Sequence, residues 1–443
     1  MNLGNAANMP DISSSSQHTS GKSVEWRTIF IASVGGGLEF YDFIVYGIFA
    51  PYIARSFFPS GSVVVSMIAT FATFSVGYMA RPLGGLVLSH IGDKFGRRSA
   101  FQLSLVTMTV TTAGMAFMPT YAIVGASASA AFVVLRFLQG ACIGGELPGA
   151  IAYVVETAPG KSGLACGLMF ACVNTGSLVA AIVSIVLHAT LTEPDMLSIG
   201  WRIAFLIGGV LGAIGALMRR SLRETELFLS VKEKKRAKVP ALEVVQAHLP
   251  QILMGIGIVG LNQALIAVLN VAMVPYLTQV ASYSAQAASS LVMFSVAIMS
   301  VAIVLVGYLS DIIRKTTIYI AGAALIALGS YPFYTSIASK AIDPYVAFCL
   351  AATACSLISG TFGVLASELF PTRLRFSGLA ISYNIAAALL GGFTPLLTSL
   401  LTRITGNSAA PGLFVSIVSV LGLISAIAIL FKRSEDPAAV SPE

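Results

Sequence analysis

Two stretches far apart in this chain carry the same pattern of small, acidic and basic residues set between apolar runs. Gly92-Asp93-Lys94-Phe95-Gly96-Arg97-Arg98 is answered by Ser310-Asp311-Ile312-Ile313-Arg314-Lys315. Downstream of each lies a second echo, Glu156-Thr157-Ala158-Pro159-Gly160-Lys161 and then Glu368-Leu369-Phe370-Pro371-Thr372-Arg373. The acid-to-acid spacing is 63 residues in the first copy (Asp93 to Glu156) and 57 in the second (Asp311 to Glu368). Only 10% of the residues are charged, so a repeated spacing of this kind implies duplication. The chain therefore reads as two similar halves, and paired membrane bundles facing one another fit a device that opens alternately to two sides.

Apolar residues fill 56% of the 443 positions and the mean hydropathy is +0.86, which excludes an ordinary soluble domain. Runs of about 20 apolar residues suffice to cross a hydrocarbon core. Such runs are drawn at 27–51, 62–90, 100–118, 124–150, 163–190 and 201–219, then at 249–275, 286–309, 317–337, 344–366, 376–402 and 412–431. The expectation is an all-α integral membrane protein of twelve helices: a disordered tail 1–26, a six-helix bundle 27–219, a loop 220–248, a second bundle 249–431 and a tail 432–443. With both termini inside, 20 of the 26 Lys and Arg residues fall in cytoplasmic segments. External segments hold four, Arg55, Arg202, Lys340 and Arg403, and Arg81 and Arg136 lie within spans. That bias is the one that sets orientation in the cytoplasmic or inner membrane, and it accounts for the net charge of +7 without nucleic acid. The first 26 residues lack the charged, apolar and small-residue segments of a removable signal.

Ionisable residues inside a span are costly and mark function. They are Glu39, Asp42, Arg81, Arg136 and Glu146. Glu39, Asp42 and Tyr46 share a helical face. At 1.5 Å per residue, Glu39 lies roughly 18 Å and Asp42 roughly 22 Å from Arg27, and Arg136 about 22 Å from Tyr121 on a helix running the other way. Asp42 and Arg136 thus sit at one depth and are expected to pair, with Asp42, Glu39 and Arg136 coupling transport to a proton. Glu146 and Arg81 form a conceivable second layer. Substrate contacts are expected from Tyr46, Arg81, Arg136, Gln139, Asn262, Gln263, Tyr383 and Asn384, because buried amides and phenols need hydrogen-bond partners and line wet cavities. The loop charges Asp93, Arg97, Arg98, Glu156, Asp311, Arg314, Glu368 and Arg373 are expected to form latches that close the cytoplasmic face in one state.

The five cysteines fit neither a metal site nor a disulfide framework. No nucleotide-binding loop is present. No nucleophile, base or metal constellation appears, and His188 stands at the outer end of a span; an enzyme or cofactor is not expected.

Arg81-Pro82-Leu83-Gly84-Gly85 followed by Gly92-Asp93-Lys94-Phe95-Gly96-Arg97-Arg98 resembles the loop signature of the major facilitator superfamily. Glu39-Phe40-Tyr41-Asp42-Phe43, Arg136-Phe137-Leu138-Gln139-Gly140, Gly144-Gly145-Glu146 and Glu368-Leu369-Phe370-Pro371-Thr372-Arg373 resemble its metabolite:proton symporters. Ser382-Tyr383-Asn384 and Gly391-Gly392-Phe393-Thr394-Pro395 look most like the citrate and tricarballylate branch. Ser89, where the signature usually has Gly, and Phe40, where Trp is frequent, depart from the pattern. The resemblance covers 27–431 and implies two pseudo-symmetric six-helix bundles that work as a monomer.

The leading functional expectation is proton-coupled uptake of a small di- or tricarboxylate. The first alternative is uptake of a zwitterionic osmolyte such as proline or betaine, and the second a proton-driven exporter. A carboxylate site wants Arg or convergent donors; a quaternary ammonium wants aromatic faces. Arg81 and Arg136 stand beside Tyr41, Phe43, Tyr46 and Tyr383, so the sequence leaves this open.

Overall fold

The computed structural model describes residues 26–220 and 240–435. The expected N-terminal tail, most of the loop between the halves and the end of the C-terminal tail lie outside them, as do the side chains of Glu39 and Arg97, whose backbones are helical. Among the described residues there is no strand; eleven helical stretches, some of them interrupted, are long and apolar enough to cross a membrane, and the 33-residue helix Val63–Phe95 makes twelve. The first six are α1 Trp26–Ile48, α2 Val63–Phe95, α3 Arg97–Phe117, α4 Ala126–Thr157, α5 Ser162–Thr190 and α6 Trp201–Arg219. The second six are α7 Leu249–Ala267, α8 Ala285–Ile312, α9 Lys315–Ser339, α10 Pro344–Ser359, α11 Arg375–Ala386 and α12 Ala410–Glu435.

Several helices outrun the apolar runs that foretold them. α2 spans 33 residues and α4 spans 32, so Asp93 and Glu156 occupy last helical turns rather than loops. Backbone hydrogen bonding continues past the hydrocarbon wherever the side chains can meet water or a partner. Between α2 and α3 only Gly96 intervenes, at φ 108° and ψ 149°, a conformation that L side chains rarely adopt. The glycine of the loop signature is thus what permits so abrupt a reversal.

Close packing inside the first half rests on missing side chains. A Cβ on Gly84 would lie 1.8 Å from the Ala141 carbonyl oxygen, and one on Gly144 would lie 2.0 Å from that of Arg81. A Cβ on Gly140 would meet the Gly77 oxygen at 2.1 Å. α2 and α4 therefore touch backbone to backbone, the arrangement small residues allow in a medium where apolar burial gives no driving force between helices.

The halves meet through α2 against α11 and α5 against α8. These are the second and fifth helices of each half, so the contact obeys the symmetry of the duplication. α7 and α11 are each interrupted by a π turn, at Val268–Ala272 and Ala387–Gly391, before resuming as Met273–Gln279 and Thr394–Thr405. α10 breaks at Gly360 and resumes as Phe362–Ser367. Such interruptions are favoured where the backbone borders a cavity. A short helix, Pro240–Ala247, lies beside α2, α7 and α11 at the end of the molecule that carries the loop motifs.

Candidate functional site: a two-chambered cavity between the halves

Two adjoining chambers lie between the halves. The larger, about 480 Å³ including its mouth, has α1 and α2 on one side (Phe40, Phe43, Tyr78, Arg81) and α7 and α11 on the other (Gln263, Asn270, Tyr383). The smaller, about 310 Å³ counted with the space at its opening, is bordered by Phe170, Asn174, Asn262, Ser359 and Phe362. Phe40, Ile266 and Tyr383 line both and form the partition.

Arg81 is the one charged side chain among the described residues lining either chamber. Its guanidinium carbon stands 4.2 Å from the Tyr78 ring centroid and 5.7 Å from that of Phe43, so two aromatic faces hold the cation in place. Arg81, Asn262, Gln263 and Tyr383, named from the sequence, do border the cavity. Tyr46, Arg136, Gln139 and Asn384 do not. Tyr46 donates to the Thr70 carbonyl at 2.8 Å, and Arg136 stacks on its ring at 4.2 Å within the first half. Asn384 donates to the Gly144 carbonyl at 2.7 Å, joining α11 to α4 across the halves. Tyr41 donates to Ala204 at 2.8 Å, away from the cavity. For Tyr46, Arg136, Gln139 and Asn384 polarity at mid-depth has another cause than a ligand: hydrogen bonding and stacking between side chains and helices satisfies it.

Asp42 is 3% exposed and belongs to a buried relay. Its Oδ2 accepts from Thr112 Oγ1 at 2.6 Å and from Gln139 Nε2 at 3.2 Å. Gln139 Nε2 also donates to Thr112 at 2.7 Å, and Gln139 Oε1 accepts from Arg136 Nη1. The expected Asp42–Arg136 ion pair is therefore replaced by a linkage through Gln139. Asp42 and Gln139 come from different helices, and only packing decides that an amide reaches between the acid and the base. Asp42 Oδ1 has no hydrogen-bond partner and faces Gly208 of α6. Glu146 accepts from Ser104 Oγ at 2.6 Å and is 1% exposed, inside the first half.

The loop motifs gather at one end, here termed the basic end. Asp311, in the last turn of α8, accepts from the backbone N–H groups of Gly163 at 2.7 Å and Leu164 at 2.9 Å, at the start of α5. Asp93, in the last turn of α2, accepts from the N–H of Ser377 at 2.9 Å and its hydroxyl at 2.6 Å, at the start of α11. Each acid of the duplicated motif thus caps a helix of the opposite half, where orphan N–H groups and the helix dipole favour a carboxylate. Glu156 receives Arg375 Nη1 at 3.3 Å in a third bridge between halves, with side chains 0% and 7% exposed.

The other latch candidates behave differently. Glu368 pairs with Lys315 and Arg373 with Glu243 of the short helix, both inside the second half. Arg98 donates to the Arg220 carbonyl at 3.0 Å. Arg314 is exposed and has no partner among the described residues. Asp93 and Asp311 accept from backbone N–H groups, which a search for opposite charges does not see, whereas Glu156 and Glu368 take the cations Arg375 and Lys315. Beside this corner His248 is held below its ordinary pKa by burial, with Lys432 and Arg373 adding to the effect.

A family profile described as the Major Facilitator Superfamily matches residues 32–382. Curated relatives include a proline/betaine transporter of Salmonella typhimurium, 30% identical over 416 residues that span 90% of this chain and 82% of the relative. A putative proline/betaine transporter of Staphylococcus haemolyticus is 29% identical over 408 residues, 90% and 86% of the two chains. Among solved structures, the proton:xylose symporter XylE bound to 6-bromo-6-deoxy-D-glucose superposes with a TM-score of 0.75 at 19% identity, covering 91% and 95%. The Escherichia coli fucose:proton symporter FucP gives 0.68 at 13%, covering 90% and 98%.

Proposed function

This chain belongs to the Major Facilitator Superfamily and is a secondary transporter of that type rather than an enzyme, and we propose that it takes up a small zwitterion of the proline or betaine kind, driven by protons. The observation that carries this reading is the charge inventory of the cavity. Among the described residues lining it, one guanidinium, Arg81, stands with the aromatic side chains of Phe40, Phe43, Tyr78 and Tyr383. One cation matches one carboxylate, and aromatic faces match an ammonium group that has shed its water. A di- or tricarboxylate would bring two or three negative charges to a single Arg, leaving the rest desolvated and uncompensated. That weighs against the citrate-like substrate expected from the eleventh span, and the named relatives point the same way.

Alternating access would proceed by opening the basic end. The Lys and Arg bias assigns that end to the cytoplasm, and the bridges at Asp93, Asp311 and Glu156 are the contacts that must break. Asp42 is the proton carrier in this scheme: its buried carboxyl reaches Arg136 only through Gln139, so its charge responds to movement of that amide. Uptake into proteoliposomes of labelled proline, glycine betaine, citrate, succinate and shikimate, with and without an imposed proton gradient, tests the reading. Gradient-driven accumulation of the zwitterions is expected. Accumulation of citrate or succinate alone would refute it.

A further inference from the structure

Resting on the zwitterion reading, we infer that the smaller chamber selects a fully substituted ammonium over one that carries N–H groups. Its walls present the rings of Phe40, Phe170, Phe362 and Tyr383, with Phe170 and Phe362 tilted at 42° and their centroids 4.8 Å apart. Among the described residues lining it there is no carboxylate. Its most buried polar group is Asn262, 0% exposed. Asn262 Oδ1 is already engaged, accepting from Ser359 Oγ at 2.7 Å. Its Nδ2 has no partner. Asn174 spends an N–H on Ser300 Oγ at 3.2 Å, so the acceptors that remain are neutral amide and hydroxyl oxygens.

A secondary or primary ammonium entering this chamber exchanges water for surroundings that, among the described residues, offer only neutral acceptors and present a donor, Asn262 Nδ2, to its own N–H groups. Charged donors that trade water for a few neutral acceptors lose part of their hydration, and that loss is costly. A quaternary ammonium has no N–H to satisfy, spreads its charge over methyl groups and takes the aromatic faces directly. The substrate then lies across the Phe40–Tyr383 partition with its carboxylate toward Arg81 and its methylated nitrogen toward Phe170 and Phe362.

The test is a methylation series on the full chain in proteoliposomes: glycine, sarcosine, N,N-dimethylglycine and glycine betaine, with proline measured alongside. Each added methyl removes one N–H while the carboxylate stays fixed. The kcat/KM is expected to rise along the series, with betaine exceeding sarcosine and proline by on the order of tenfold. Phe170→Leu keeps an apolar side chain but removes a π face, and should lower the betaine-to-proline ratio of kcat/KM by about fivefold. General damage to the fold would lower both alike. Asn262→Asp, which replaces the donor by an acceptor, should shift the ratio back toward sarcosine and proline. A flat or falling series, or a betaine-to-proline ratio unmoved by Phe170→Leu, overturns the inference and leaves zwitterion transport standing. Uptake of no member, proline included, overturns both.

Discussion

At Asp42 the burial of a carboxyl is compensated on one oxygen and not on the other. Oδ2 accepts two hydrogen bonds and Oδ1 none, so the ionised form is supported only in part and protonation has somewhere to go. Asp42→Asn preserves shape and lets the amide oxygen keep the Thr112 and Gln139 contacts, so the fold should survive. We expect this variant to lose accumulation against a gradient while exchange of labelled for unlabelled substrate stays within about threefold of the parent, because a permanently neutral group mimics the protonated acid. Counterflow and gradient-driven uptake measured on the same proteoliposomes separate the two. Undiminished accumulation would remove Asp42 from the coupling scheme. Glu39, which shares the sequence signal, has a side chain outside the described structure, and its part in coupling stays a proposal.

Among the elements, the α2–α4 pair depends most visibly on what its residues lack. Gly84, Gly140 and Gly144 bring backbone to within the distance that one methyl would occupy. At Gly144 an added Cβ would meet backbone atoms of Arg81 and Gly85, which cannot rotate aside as a flexible side chain can. Gly144→Ala should therefore separate the helices and cost about 3 kcal/mol, the upper part of the range for overpacking. The same displacement disturbs the carbonyl that receives Asn384. A fall in melting temperature of the detergent-solubilised protein, with Gly47→Ala as a control where nothing lies within 4 Å, checks this. Equal stability of the two variants would show that the pair is looser than the distances imply.

For the whole molecule, the duplicated acids join the two halves twice over, each capping a helix that belongs to the other half. Replacing a capping carboxylate by its amide keeps an acceptor but removes the charge at a helix N-terminus, at a cost of about 0.5 kcal/mol. Asp93→Asn and Asp311→Asn together should then favour opening of the basic end by about 1 kcal/mol, roughly fivefold in population, and more than either alone. Alkylation of a cysteine introduced at Asn174, in a background without the five native cysteines, reads that population from the basic side. Labelling unchanged or slowed in the double variant would leave the motif as an orientation signal. Glu368→Gln, whose partner Lys315 lies in its own half, should shift the population less than either Asp change.

The sequence by itself determined the membrane class, the two halves and where most helices begin, because hydropathy and a repeated charge pattern are local properties of the chain; where α2 and α4 end and where α7, α10 and α11 break it did not show. It also brought forward Arg81, Asn262, Gln263 and Tyr383, since a polar residue in an apolar run announces itself. Only the tertiary structure decided which buried polar groups face the cavity and which tie helices together: Asn262 lines a chamber, while Asn384 binds Gly144. It alone revealed that the repeated acids seek backbone N–H groups of the opposite half, and that Lys315 and Arg375 rather than Arg314 form the ion pairs. The physical reason is that a helix presents each side chain by its rotation, and rotation is fixed by close packing against neighbours, through glycines and π turns whose effect depends on what stands opposite.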